Sequence, residues 1–309
     1  MRIGILGFGK IAREALYPAI LNVGHSVTAI GSAAGVKPDG FQGEVFSDYS
    51  DVITSGLIDA VYIALPNHLH YPMSRCAMEA GIPVLCEKPL GLSAAEVSSL
   101  SVVAETQRSF LMEALMVAHH PQWQWIRQHI STDEPLHLSV QFHYDNRDPL
   151  NIRNRPETGG GARLDIGCYA LWVAHWLGAR TLIGATGCQW IEQGVDARTS
   201  GRLLFDEHLE LQFDVSMRRA RFQQVIIHSQ KHCWVIPRPF NPSANTTIWA
   251  MGSEGIEREH QFEAMQYERM IEAFSTSIDR QSKTDLTASQ RIAQWSDTIK
   301  HQFEERIVK

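Results

Sequence analysis

The sequence predicts an α/β chain, with a doubly wound parallel sheet in its N-terminal third and a separate α+β domain with a large, mostly antiparallel sheet in the remainder. Three observations carry this expectation. Short apolar strands alternate with helical spacings over the first third. A glycine-rich turn, Gly7-Phe8-Gly9, closes the first strand. Beyond about residue 120 the rhythm changes to longer runs that alternate apolar and polar residues, as in a sheet with one wet face.

Arg2–Leu6 is a short apolar run ended by glycine. Gly9–Leu21 has helical spacing at Ile11, Ala12, Ala15, Leu16 and Ile20, with Pro18 weakening its last turn. Ser26–Ile30 reads as a second strand, and Ala60–Leu65 is an apolar run stopped by Pro66. A helix follows around Pro72–Ala80, closed by Gly81 as a C-cap. Val84–Cys86 is a strand, and Ser93 opens a helix through Gln107 with the capping box Ser-Ala-Ala-Glu. Phe110–Glu113 begins one more strand. Repeated β-α-β units with short connections give a parallel sheet covered on both faces.

In the second part, Glu134–Tyr144, Thr181–Ile191, Thr199–Phe205, His208–Met217, Phe222–His228 and Lys231–Ile236 read as strands. Leu164–Leu177, Glu259–Asp279 and Thr287–Glu304 read as helices. The length of 309 residues suits two domains, with the boundary expected between 1–117 and 118–309.

Composition excludes several classes. A formal net charge of −6 offers no electrostatic reason to bind nucleic acid or an anionic membrane. The apolar N-terminal stretch breaks at Gly7 and Gly9, so it reads as a strand and not as a leader. No window is apolar for long enough to span a bilayer. The five cysteines, Cys76, Cys86, Cys168, Cys188 and Cys233, form no CxxC pair. Reduced thiols in a cytoplasmic protein, without a metal, are expected.

Gly7-Phe8-Gly9-Lys10-Ile11-Ala12 fits G-x-G-x-x-[GA] between a strand and a helix, which is the context a Rossmann dinucleotide site requires. Gly7 permits the tight turn. Gly9 lets the backbone approach a pyrophosphate at the positive end of the helix, and Ala12 lets the helix lie close to the strand. At the end of the second strand, where a carboxylate would select NAD, the chain reads Ile30-Gly31-Ser32-Ala33-Ala34-Gly35. Ser32 and Lys37 are the available polar groups, and NADP is favoured over NAD.

Glu87-Lys88-Pro89 ends a strand, where ligands bind in an open α/β sheet. Taken alone, it would be a surface ion pair. Its context resembles the Gfo/Idh/MocA oxidoreductases. The resemblance rests on GILGFGKIA at 4–12, DAVYIALPNHLHYPM at 59–73, AGIPVLCEKPLGLSAAE at 80–96, MEALMVAHHPQ at 112–122 and NIRNRPETGGGARLDIGCYALWVAHWLG at 151–178. The wording of the last block is most similar to the dihydrodiol and xylose dehydrogenase branch.

The resemblance implies a role for each matching residue. Lys88 is similar to the family's active-site lysine, and Asp165 and Tyr169 match its D-x-x-x-[HY] pair. Leu65, Pro66, Asn67 and His70 match the loop bordering the nicotinamide ribose, with Glu87 beside them. Tyr169 is then the proton donor or acceptor, Lys88 its electrostatic partner and substrate anchor, and Asp165 the orienting residue. An alternative gives the proton exchange to Lys88. A tyrosine needs such a partner, because its ordinary pKa of about 10 makes it a poor base near neutrality.

The expected function is hydride transfer between NAD(P) and a sugar, cyclitol or related cyclic diol or ketone. The competing expectation is a sensor of the same fold that binds NAD(P) without turnover. A homodimer or higher homo-oligomer is expected, through an apolar outer face of the C-terminal sheet.

Overall fold

A computed structural model describes residues 1–130, 134–206 and 208–308. Backbone contacts divide the chain into two compact units. One is Met1–His119 with Met265–Gln290, and the other is His120–Ala264 with Arg291–Lys309. The first unit thus takes in a segment from beyond residue 117, which the sequence assigned to the C-terminal domain.

Among the described residues, the first unit holds a sheet of six strands. These are β1 (Arg2–Leu6), β2 (Ser26–Gly31), β3 (Glu44–Phe46), β4 (Ala60–Ile63), β5 (Val84–Glu87) and β6 (Leu111–Ala114), in the order β3-β2-β1-β4-β5-β6. All neighbours are parallel. The order reverses between β1 and β4, and a ligand crevice opens at the carboxyl ends of strands at such a point. Every residue of β4 is buried, as in a strand covered on both faces.

Four helices connect these strands: α1 (Tyr17–Asn22), α2 (Tyr49–Thr54), α3 (His70–Glu79) and α4 (Ala94–Gln107). Pro18 does not end the first helical segment. A π turn at Ala12–Leu16 precedes α1, and the Tyr17 N–H reaches the Ala12 carbonyl. The widened turn carries the chain past a residue that cannot donate. Ser93 caps α4 by accepting the Glu96 N–H at 3.3 Å. The Glu96 carboxylate reaches back to the Leu92 N–H at 2.7 Å, one residue before the position a capping box uses.

The second unit is built on nine described strands. They are β7 (Leu136–Asp145), β8 (Leu182–Glu192), β9 (Val195–Phe205), β10 (Leu209–Ser216), β11 (Arg218–His228), β12 (Cys233–Ile236), β13 (Asn245–Gly252), β14 (Gly255–Glu263) and β15 (Glu304–Ile307), in the order β14-β13-β12-β11-β7-β10-β9-β8-β15. Pairing is antiparallel except for β7 with β10 and β8 with β15. The helices are α5 (Pro121–His129), α6 (Cys168–Trp176), α7 (Gln266–Asp279), which belongs to the first unit, and α8 (Thr287–Gln302).

Two expected helices are shorter than the sequence suggested. Residues Glu259–Glu263 are the end of β14, and the helix starts only at Gln266. Glu304 begins β15. Both strands lie at sheet edges, where polar residues face water and the apolar alternation fades. The β8–β9 connection is Gln193-Gly194, with φ of 52° and 83°, the paired positive angles of a tight hairpin turn.

The core of the second unit is aromatic. Trp123 packs edge-on to Trp172 with centroids 5.0 Å apart, and Phe240 lies against Trp123, Phe142 and Tyr169. Gly187 and Gly201 face each other across β8 and β9, and a Cβ at either would run into the Phe303 ring. Phe303, at the junction of α8 and β15, therefore fills a slot made by two absent side chains.

Candidate active site

In the first unit, the glycine turn has the geometry a dinucleotide needs. Gly7 has φ of 86°, and a Cβ there would stand 2.5 Å from the Ala64 carbonyl oxygen. Its N–H donates to Gly31 at 2.9 Å, tying the ends of β1 and β2 together. Nothing lies within 4 Å of where a Cβ on Gly9 would be, so the backbone there is open to a phosphate. The Gly9 carbonyl accepts the Arg13 N–H at 3.0 Å and starts the helix. Ala12 is fully buried, Phe8 packs edge-on to Tyr17, and Lys10 and Ile11 are exposed. The cradle thus fits a pyrophosphate.

Gly7→Ala is expected to destabilise the chain by about 1–3 kcal/mol through its left-handed backbone alone, and to weaken dinucleotide binding. Urea melts and fluorescence titration with NADPH would measure both. Unchanged stability would contradict the strain argument.

Ser32 follows β2 and shapes its own turn. Its Oγ accepts the Val36 N–H at 2.9 Å, and its carbonyl accepts the Gly35 N–H. Lys37 is exposed just beyond.

The loops after β4 and β5 are held by His70, Tyr62 and Glu87, of which the sequence singled out His70 and Glu87 but not Tyr62. His70 is 1% exposed. Its Nδ1 lies 2.7 Å from the Pro89 carbonyl oxygen and its Nε2 lies 2.8 Å from that of Leu65. The ring therefore joins the two loops through backbone and does not present an edge outward. Burial pushes its pKa down, while the two carbonyls favour the protonated ring. Tyr62, wholly buried in β4, donates to Glu87 Oε1 at 2.5 Å. The other oxygen of Glu87 accepts the Lys88 N–H at 3.3 Å. Burial and Glu87 push the Tyr62 phenol well above its ordinary value, so it stays a donor. Lys88 is half-buried, and its peptide bond to Pro89 is cis. Pro66 and Asn67 are half-buried beside Leu65, in and ahead of a 3₁₀ turn at Asn67–Leu69.

In the second unit, Asp165 lies in a π turn, Arg163–Gly167, that leads into α6. The sequence placed both Asp165 and Tyr169 in one regular helix, Leu164–Leu177, and the π turn alters the phase between them. Both residues are buried. Asp165 Oδ1 pairs with Arg153 Nε at 3.0 Å, and Oδ2 accepts the Tyr144 hydroxyl at 2.5 Å. Burial and the Asp165 charge hold the Tyr144 phenol protonated. The Tyr169 ring lies between Phe142 and Phe240, at 5.6 and 5.1 Å.

Arg153 and Arg163, on either side of Gly159-Gly160-Gly161, have different parts. Arg153 reaches Asp165, whereas Arg163 donates its guanidinium to Ser296 and its backbone N–H to Asp196 at 2.7 Å. A Cβ on Gly161 would strike that Asp196 carboxylate, so glycine is required there. Among the described residues no cluster of His, Cys, Asp and Glu could hold a metal, and no helix is long and apolar enough to cross a membrane.

The strand order, the bare glycine turn and the braced lysine at the end of β5 define a nicotinamide-dependent oxidoreductase. Comparison with known proteins gives its family. Residues 1–115 match the model of an oxidoreductase family with an NAD-binding Rossmann fold, and residues 131–235 match the Gfo/Idh/MocA C-terminal domain. The chain is 32% identical over 297 residues to an uncharacterized oxidoreductase of Rhizobium meliloti, covering 90% of this chain and 89% of the relative. It is 29% identical over 290 residues to an NADP-dependent D-xylose 1-dehydrogenase of Haloferax volcanii, covering 90% and 89%. A crystal structure of a 3-ketoreductase from Actinomadura kijaniata with NADP and TDP-benzene superposes with a TM-score of 0.90 at 25% identity, covering 100% of this chain and 99% of the other. The chain belongs to the Gfo/Idh/MocA oxidoreductase family.

Proposed function

We infer that the chain is an NADP-dependent dehydrogenase or reductase acting on a secondary alcohol or ketone of a sugar, cyclitol or related cyclic diol. The observation that carries this is Lys88. It stands at the carboxyl end of β5, on a turn fixed through His70 and Glu87, in the same unit as the glycine cradle. The similarity to a D-xylose dehydrogenase and a 3-ketoreductase supports sugar-like substrates.

Gly7, Phe8, Gly9, Lys10, Ile11 and Ala12 would hold the pyrophosphate. Ser32, with Lys37, would meet the adenosine ribose and its 2′-phosphate. Leu65, Pro66, Asn67 and Glu87 would border the nicotinamide ribose. When bound, NADP supplies the hydride acceptor. Lys88 anchors the substrate oxygen through its ammonium group. Tyr169 takes the hydroxyl proton as the alcohol is oxidised and returns it in the reverse direction. Asp165, tied to Arg153 and Tyr144, keeps the start of α6 in place, an orienting role that leaves its own oxygens occupied. A site that excludes water strengthens each of these interactions.

The five cysteines are all free thiols, which supports a reducing, cytoplasmic setting. Exposed Leu204, Phe222 and Ile256 on the large sheet support a homo-oligomer. Light scattering would test that assembly, and a monomer at micromolar concentration would contradict it.

Turnover of NADP or NADPH across aldoses, ketoses and inositols is the direct test. Measurable turnover with at least one of them is expected, with NADP preferred to NAD. Tight NADPH binding without turnover on the whole panel would favour a sensor.

A further inference from the structure

The chain between β12 and β13 reads Pro237-Arg238-Pro239-Phe240-Asn241-Pro242, and none of the roles above uses it. Its prolines restrict the backbone and donate no N–H. Within this loop sits a fully buried ring. Phe240 lies 5.1 Å from the Tyr169 ring and 5.2 Å from Phe142, centroid to centroid.

Buried backbone groups outside a ladder need other partners, and here side chains supply them. Gln122 and Trp123, at the start of α5, both donate to the Pro239 carbonyl, at 3.1 and 3.0 Å. Gln223 of β11 accepts with Oε1 from the Phe240 N–H at 2.9 Å and from the Asn241 N–H at 3.0 Å. The Pro239 carbonyl and the Phe240 N–H belong to one peptide group. That planar unit is therefore held at both ends, which fixes the direction in which the Phe240 side chain leaves the backbone. The β7–β11 register sets Gln223 opposite Phe142. Opposed residues of neighbouring strands share a face, so the acceptor and one of the rings beside Tyr169 come from the same side of the sheet.

We propose that Gln223 is a positioning residue for Tyr169, acting through Phe240. Its side-chain oxygen aims the Phe240 ring, and that ring with Phe142 fixes the phenol. The inference rests on the proton-transfer role given to Tyr169 above. A phenol that exchanges a proton must keep its oxygen within hydrogen-bond reach of the substrate hydroxyl. That oxygen is the atom farthest from the Tyr169 backbone, so a small turn of the ring displaces it most. Packed neighbours that lock one rotamer meet the requirement. Gln223 is half-buried, whereas Trp123 is itself a core ring. Substitution at 223 therefore tests the aim without emptying the core.

Gln223→Met keeps an unbranched side chain of similar reach and removes the acceptor. Gln223→Glu keeps an oxygen for both N–H groups. In Gln223→Met, kcat is expected to fall about tenfold, because a displaced reacting group loses rate steeply, while KM for NADP changes less than about threefold. Gln223→Glu should bring kcat back to within about threefold of the unchanged chain. All are measured well below the unfolding midpoint. Lower stability with unchanged kcat would make Gln223 a brace for the loop only and overturn the proposal. Equal losses in the two variants would overturn it as well.

A second measurement does not depend on turnover. The chain has seven tyrosines, and 3-fluorotyrosine in their place lets each ring be followed by ¹⁹F NMR. Tyr169 is assigned by the signal missing from Tyr169→Phe. Its signal should shift and broaden in Gln223→Met and return in Gln223→Glu. An unmoved signal in Gln223→Met would overturn the proposal whether or not the chain turns over a sugar. If Gln223→Met does not fold, Gln223→Asn, whose oxygen is drawn back by one methylene, is compared with Gln223→Glu. The same Tyr169 signal in those two would also overturn it.

Discussion

Lys88→Met is expected to lower kcat by at least about 10²-fold while the dissociation constant for NADPH changes little. Methionine keeps an unbranched apolar stem, one atom shorter than the lysine side chain, and carries no charge, so the change removes the ammonium and little else. The turn itself should survive. Its anchors are the Pro89 carbonyl on His70, the Leu90 N–H on Glu113 and the Lys88 N–H on Glu87, and none involves the lysine side chain. Steady-state kinetics and a fluorescence titration separate the two quantities. Turnover near that of the unchanged chain would remove Lys88 from the chemistry. Equal losses in turnover and in NADPH affinity would make it a binding residue instead.

Phe303→Ala is expected to destabilise the chain by about 3–5 kcal/mol. The ring is 5% exposed, faces Phe213 at 6.1 Å, and covers the opposed Gly187 and Gly201. Those glycines have no side chains with which to fill the hole, so removing the ring leaves a cavity between two bare backbones. β15 follows directly and pairs with β8 through Glu304–Ile307, so the edge strand would loosen as well. Urea denaturation followed by tryptophan fluorescence measures the loss. A change below about 1 kcal/mol would mean that the slot closes without the ring. Gly201→Ala tests the same packing from the other side, because its new methyl and the Phe303 ring cannot occupy the same space.

The parallel sheet was legible because its strands are buried on both faces and keep their apolar runs, as in Ala60–Ile63. The glycine cradle was legible because Gly7 takes a left-handed backbone angle that favours glycine and Gly9 leaves its backbone bare for a phosphate. The strand Glu44–Phe46 has three residues, too few to show any period. The edge strands Gly255–Glu263 and Glu304–Ile307 are rich in charge, and their partners are known only once the sheet is assembled. Around the candidate site, Lys88, Asp165 and Tyr169 came from matching motifs. Tyr62 and Glu113 were missed because each looks like an irregularity in an apolar strand. The signal was present in the sequence: a lone carboxylate amid Leu-Met-Ala at the end of a buried strand needs a partner.

The segment from Arg163 to Gly167 coils more loosely than the rest of its helix. Such a loop in the spiral holds one residue more than a regular turn. Taking one residue out of that loop would restore an ordinary turn and leave the coil on either side nearly in phase. The disturbance would be local, because Asp165, which meets Arg153 and Tyr144, lies within the loop itself. Spacing in this stretch therefore governs where that one carboxylate points, while the rest of the helix would keep its place.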